Sequence, residues 1–138
     1  MEVKNACRRC GEVNIVNSKN LISEDVWDLE GNYYKIMYYD CKRCKERIVL
    51  QIDDIDSLNL FREFKRLIIR VSRKQINHQT IGKKDIKKKD KYTRELKERR
   101  EKLKSKCEGI KLLDKDKNII VEVLTFPKVG DIIESNLW

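Results

Sequence analysis

Proline occurs once in the 138 residues, histidine once and glycine five times. So few flexible and turn-forming residues argue against a low-complexity, disordered chain. No run approaches the roughly 18 apolar residues of a membrane span, and the opening MEVKNACRRCGEV has no apolar stretch of signal-peptide type. A cytoplasmic location in a reducing compartment is therefore expected, with no membrane partner. Gly-rich phosphate loops, Ser-His-Asp arrangements and catalytic cysteine motifs are all missing, so a non-enzyme without a small-molecule substrate is expected. The lone histidine, His78, sits among polar residues with no acid-base partner and reads as a loop residue.

What the chain does hold is charge, at 40% of residues and a formal +9. The excess is local. Residues 1–61 hold nine basic and eleven acidic residues, 62–82 six and one, 83–108 thirteen and six, and 109–138 four and five. At 16.5 kDa there is room for one ordinary domain or a small module with an appendage. The divisions expected are residues 1–54 and 55–138.

The first division carries the strongest signal: CRRC at residues 7–10 and CKRC at residues 41–44, with only Cys107 left over. In a reducing compartment, paired C-x-x-C spacing favours a metal over disulfides, with iron or a redox pair as the minor alternatives. Two intervening residues let both sulfurs of a turn point inward, and four thiolates at about 2.3 Å complete a tetrahedron around Zn²⁺. Cys7, Cys10, Cys41 and Cys44 are the expected ligands of a structural Zn²⁺, a closed shell with no position for substrate. Over residues 3–52 this pattern resembles the zinc-ribbon family, which implies two knuckles brought together by the hairpin between them. Arg8, Arg9, Lys42 and Arg43 lie inside the turns, where they offset the cluster's negative charge or form a phosphate-binding tip.

Around the cysteines the period is that of strands. EVNIVN alternates with Val13 and Ile15 on one face, YYKIMYY at 33–39 follows the turn residues Gly31 and Asn32, and RIVLQI at 47–52 is a third run. A small antiparallel sheet results. Tyr33, Tyr34, Tyr38 and Tyr39 are read as strand residues before base-stacking ones. Trp27 and Trp138 are anchors of a core or an interface.

After residue 56 the period becomes helical. Leu60, Phe64, Leu67, Ile68 and Val71 form one stripe, with Asp56 or Ser57 as the cap. Residues 77–82 break the pattern, and a second helix over 83–108 carries a thin seam of Tyr92, Leu96, Leu103, Cys107 and Ile110. Acid-to-base pairs four apart, such as Asp85 with Lys89 and Glu95 with Arg99, support that helix. IKLL and NIIVEVLTF flank DKDKN as a β-hairpin that packs on one of the helices, with Pro127 ending its second strand. The fold class expected is α+β: an N-terminal four-cysteine zinc ribbon with a small antiparallel sheet, two basic helices and a C-terminal β-hairpin.

The basic residues expected to contact a partner are Arg62, Lys65, Arg66, Arg70 and Arg73 on the first helix, and Lys87, Lys88, Lys91, Arg94 and Arg99 on the second. The partner expected is a nucleic acid or a nucleic-acid-binding protein complex. An accessory factor or inhibitor of a nucleic-acid-processing complex comes first, and in general make-up the chain resembles small phage-encoded inhibitors such as anti-CRISPR proteins. A direct DNA- or RNA-binding regulator is the alternative. A transcript-cleavage factor using Glu24, Asp25, Asp28 and Glu30 to hold magnesium comes third, without the basic-serine-alanine context of that group. The thin seam on the second helix permits a monomer or a coiled-coil dimer.

Overall fold

The structure is a computed structural model and describes residues 3–127 and 132–135; Trp138 lies outside them. The fold is mixed α+β with antiparallel sheets and two helices. Its elements are β1 (Val3–Ala6), β2 (Val13–Val16), β3 (Ile22–Trp27), β4 (Tyr33–Asp40), β5 (Arg47–Asp53), α1 (Ile55–Ile76), α2 (Lys83–Cys107), β6 (Leu112–Leu113), β7 (Ile119–Val121) and β8 (Ile132–Ser135). They build two compact units, Met1–Ile52 with Lys104–Trp138, and Asp53–Leu103. This division differs from 1–54 and 55–138 in grouping the carboxy-terminal strands with the cysteine module.

The first unit holds a three-stranded sheet in the order β2-β1-β8 and a five-stranded sheet in the order β5-β4-β3-β6-β7. Val16 of β2 and Tyr39 of β4 pack in a common core with Leu21, Ile48 and Leu50. In β4 the alternation buries Tyr34, Ile36 and Tyr38, and Tyr39 breaks it by being buried as well. Its hydroxyl donates to Asn5 Oδ1 on β1, so a phenol is satisfied inside the core. Leu112 and Leu124 complete the buried set on the carboxy-terminal side.

Three features depart from the sequence reading. In β2, Val13 and Ile15 face solvent while Asn14 and Val16 are buried. The alternation marks the strand, and its buried face is the one that carries Asn14 and Val16. The β3 strand, ISEDVW, is too acidic to stand out. Its acids are satisfied across the β3–β4 ladder on the diagonals, where long side chains reach: Tyr38 donates to Glu24 at 2.9 Å and Tyr33 to Asp25 at 2.6 Å. Trp27 meets Tyr33 edge to face at 5.6 Å. Third, β6 and β7 pair with each other around residues 114–118, and β6 adds to β3 through Trp27 and Leu113, so these strands extend a sheet. The strand ends at Val121, ahead of Pro127. Arg47 on edge strand β5 donates to Ile120 O on edge strand β7 at 3.1 Å, which curls the sheet toward closure.

Two turns share one build. Asp28 and Asp114 each accept from backbone N–H groups two and four residues on, and each is bonded by the amide of Asn32 or Asn118. The fourth residue of each turn, Gly31 or Lys117, has positive φ, at 88° and 65°. Only the first offers glycine's freedom there.

In the second unit α1 begins at Ile55, and its cap is Asp54, accepting from Ser57 N at 2.8 Å. The helix starts before Asp56 and Ser57, so neither serves as the cap. Leu67 is buried and the other stripe residues are half-buried. Ion pairs align the helices antiparallel: Arg70 and Lys74 reach Asp85 at 2.7 Å each, Arg100 reaches Asp53 at 3.0 Å, and Arg99 reaches Asp56 at 3.7 Å. Asp85 and Arg99 therefore pair off their own helix, where a second helix offers partners that a helix surface alone does not. Leu96 and Leu103 are buried on the expected seam.

Candidate metal centre

Each cysteine pair occupies a turn at the end of a hairpin, the first between β1 and β2 and the second between β4 and β5. Both turns are closed by the same two backbone bonds. Cys7 N donates to Glu12 O and Gly11 N to Cys7 O, at 2.9 and 2.8 Å; Cys41 N donates to Glu46 O and Lys45 N to Cys41 O, at 2.8 and 2.9 Å. The residue after each second cysteine has positive φ, 76° at Gly11 and 65° at Lys45. The repeat is thus six residues long, CRRCGE and CKRCKE. Its signal was in the sequence, in the glutamate two places beyond each pair.

The turns meet about an approximate two-fold axis. Cys7 Sγ lies 3.6 Å from Cys44 Sγ and Cys10 Sγ 3.6 Å from Cys41 Sγ, so the first cysteine of each turn faces the second of the other. All four sulfurs lie within 4.8 Å of one another, and they form the one such cluster among the described residues. Four sulfurs at about 2.3 Å from a central ion are separated by about 3.8 Å, so the spacing fits a tetrahedral metal ion. It is far from the roughly 2 Å of a disulfide.

The thiols are set up for ionisation unevenly. Burial raises Cys41, but backbone N–H groups of Cys44 and Arg43, the Asn14 amide and Cys10 outweigh it, and the thiol is pulled down to about 6. Cys44 receives a lowering bond from the Glu46 backbone, yet desolvation and its three neighbouring thiols push it up to about 12. One charge enters the cluster easily and the next is repelled by it. A divalent ion removes that repulsion, which is why such sites release protons on loading.

Asn14 explains the inverted face of β2. Its Nδ2 lies 3.5 Å from Cys41 Sγ and 3.3 Å from Glu12 O, and its Oδ1 accepts from Lys42 N at 3.0 Å. One buried amide thus ties the first turn to the second and contacts a sulfur of the cluster.

The cations inside the turns also cross over. Arg9 bonds Glu46 at 2.9 Å, while Lys42 and Arg43 reach Glu12 at 3.2 and 3.9 Å. They clasp the opposite turn. A cavity of about 90 Å³ beside Cys7 is lined by Arg8, Arg9, Glu46 and Arg47.

Three of the four acids of the third reading are bonded within the sheet and its turn: Glu24 and Asp25 accept from tyrosines, and Asp28 holds its turn, while Glu30 is exposed. Burial and these carboxylates push Tyr38 and Tyr33 up to about 12.

The ten basic residues expected to meet a partner fall into distinct groups. Arg70 is paired with Asp85, Arg99 with Asp56, and Lys91 with Glu95 at 3.8 Å. Lys65 lies over the Phe61 ring at 4.8 Å, sharing it with Arg100 at 5.1 Å. Arg62, Arg66, Arg73, Lys87, Lys88 and Arg94 are exposed. Cys107 is buried, as its place on the seam implies.

No family model, curated protein or solved structure matches this chain.

Proposed function

We propose that this is a non-enzymatic, zinc-stabilised binding protein that acts on nucleic-acid-processing machinery as an accessory factor or inhibitor. The observation that carries the reading is the closed four-sulfur set. Cys7, Cys10, Cys41 and Cys44 lie within 4.8 Å of one another, which supports a four-thiolate shell with no position for water or substrate. Zn²⁺ suits this donor set because thiolates are soft ligands and the ion favours four-coordination. When bound, it supplies folding energy to a small sheet module of limited core. Asn14 and the crossed ion pairs orient the sulfurs and bind the turns to each other.

Contact is then left to the cation-rich helices, whose excess charge supports an anionic partner. Affinity capture from cells, with and without nuclease, tests the reading. Recovery of nucleic-acid-processing proteins is expected, and it disappears on replacing Cys41 and Cys44 together by Ser. A metal-free purified protein, or a captured set without such machinery, would refute it.

A further inference from the structure

We propose that the outer face of α1 binds the phosphodiester backbone of a nucleic acid directly, with Arg62, Arg66 and Arg73 as its phosphate ligands. This rests on the binding role proposed above and narrows it to one helix face and one chemistry.

At 100° per residue, these three arginines fall within an arc of about 40° on α1, with Ile69 and Ile76 along the same strip. All three are exposed, and none has an ion pair or side-chain hydrogen bond among the described residues. Neighbouring cations are treated differently: Asp85 takes both Arg70 and Lys74. That pairing fixes the border of a shallow depression of about 450 Å³, lined by Arg66, Ile69, Arg70, Arg73, Lys74 and Gln79. From residue 62 to the end of α1 the single acid is Glu63, whereas α2 interleaves Asp90, Glu95, Glu98 and Glu101 with its lysines. The two helices differ in kind. One presents a uniform cationic strip and the other a mixed, self-compensating surface.

The strip suits a phosphate chain better than a protein. Protein interfaces centre on contiguous apolar and aromatic residues with charge at the rim. Here three guanidinium groups outnumber the apolar residues, which are isolated isoleucines set between and beyond them, Ile69 at 52% and Ile76 at 75% exposure. Guanidinium forks bond phosphate oxygens in pairs, which a lysine cannot do. From Arg62 to Arg73 the helix rises about 16 Å, comparable to five axial steps of about 3.4 Å along one strand. An open, shallow groove accepts a continuous chain where a deep pocket would select a single group.

The test compares the full-length protein with two triple variants of equal charge: Arg62→Gln/Arg66→Gln/Arg73→Gln on α1, and Lys87→Gln/Lys88→Gln/Arg94→Gln on α2. Binding to a fluorescent duplex of about 20 base pairs, and to one of its strands, is followed by anisotropy between about 50 and 200 mM salt. Circular dichroism and metal content confirm that each variant is folded. The α1 triple is expected to lose more than tenfold in affinity, with the salt slope of log K falling by about 2 to 3, while the α2 triple changes the slope by less than about 1. The duplex and single-strand arms show which backbone form is preferred. Equal losses in both triples, or no binding of either probe by the unsubstituted protein, overturn the proposal. If neither probe binds yet nuclease-treated capture still recovers nucleic-acid-processing proteins, the strip is not a phosphate site and the broader function stands. If both fail, both are wrong.

Discussion

Arg9 in the first cysteine turn bonds Glu46 at the end of the second, Nη1 to Oε2 at 2.9 Å, and Glu12 of the first turn answers Lys42 of the second at 3.2 Å. Two copies of a six-residue motif are thus linked reciprocally around the sulfurs. Side-chain exposure of 69% for Arg9 and 47% for Glu46 makes this a solvent-screened pair of small net worth. A double-mutant cycle with Arg9→Ala and Glu46→Ala should show a small coupling that fades as salt is raised. A coupling that persists undiminished in high salt would contradict the exposed geometry.

One metal ion per chain is expected by elemental analysis, with loss of any one ligand weakening it strongly. Chelator or acid should unfold the first unit, because thiolates are required and protons compete for them. Asn14→Ala should leave one equivalent of metal but lower its affinity by about 10- to 100-fold, as expected for a group that orients a ligand. Competition with a chromogenic chelator measures it.

Lys45 and Lys117 occupy the backbone conformation that Gly11 and Gly31 occupy in the matching turns. A side chain in that region costs about 1 kcal/mol or more relative to glycine. Lys45→Gly and Lys117→Gly should therefore each raise stability by about 0.5–1 kcal/mol, after glycine's greater unfolded-state entropy is counted. Thermal melts of the metal-loaded protein give the answer, and destabilisation by either substitution would count against the turn assignment.

Asp53 is 3% exposed and is bonded by Arg100 at 3.0 and 3.3 Å. Replacing Arg100 by Met keeps much of the bulk but removes the charge partner of a buried carboxylate, and should cost about 1–3 kcal/mol. Adding Asp53→Asn to Arg100→Met should recover part of the loss. Urea titrations of the single and double variants measure both.

Acid and alkali should each weaken the fold through different groups. Burial raises Asp28, but the bonds from Asn32 and the turn N–H groups hold it below the usual carboxylate range; the Asn118 backbone does the same for Asp114, and Lys74 with Arg70 for Asp85. Their contribution is complete above the unfolded value near 4 and is lost as pH falls below it. Tyr33 and Tyr38, pushed up to about 12, stay protonated in the fold while the unfolded chain ionises near 10, so stability declines as pH rises from about 10 to 12. Phenolate absorbance against pH should show two tyrosines titrating late.

Local pattern was enough for several elements. Cysteine spacing is set by the reach of one turn, so the cluster of four sulfurs could be anticipated from CRRC and CKRC. The stripe through Leu60, Phe64 and Leu67 and the seam through Leu96, Leu103 and Cys107 follow from helical geometry, and both helices formed where that period runs. Strands whose polar groups are satisfied only by distant partners were opaque. VKNA of β1 and ISEDVW of β3 have no useful alternation until Tyr39, Tyr38 and Tyr33 bond Asn5, Glu24 and Asp25.

By itself, then, the sequence determined the four sulfurs, the two helices and the placement of positive charge, because each depends on residues a few positions apart. Tertiary structure alone decided that Asn14 rather than Ile15 turns inward, and which arginines are consumed by Asp85 and Asp53 and which remain exposed. Those outcomes depend on hydrogen bonds and ion pairs between segments up to 47 residues apart, and no local period records them.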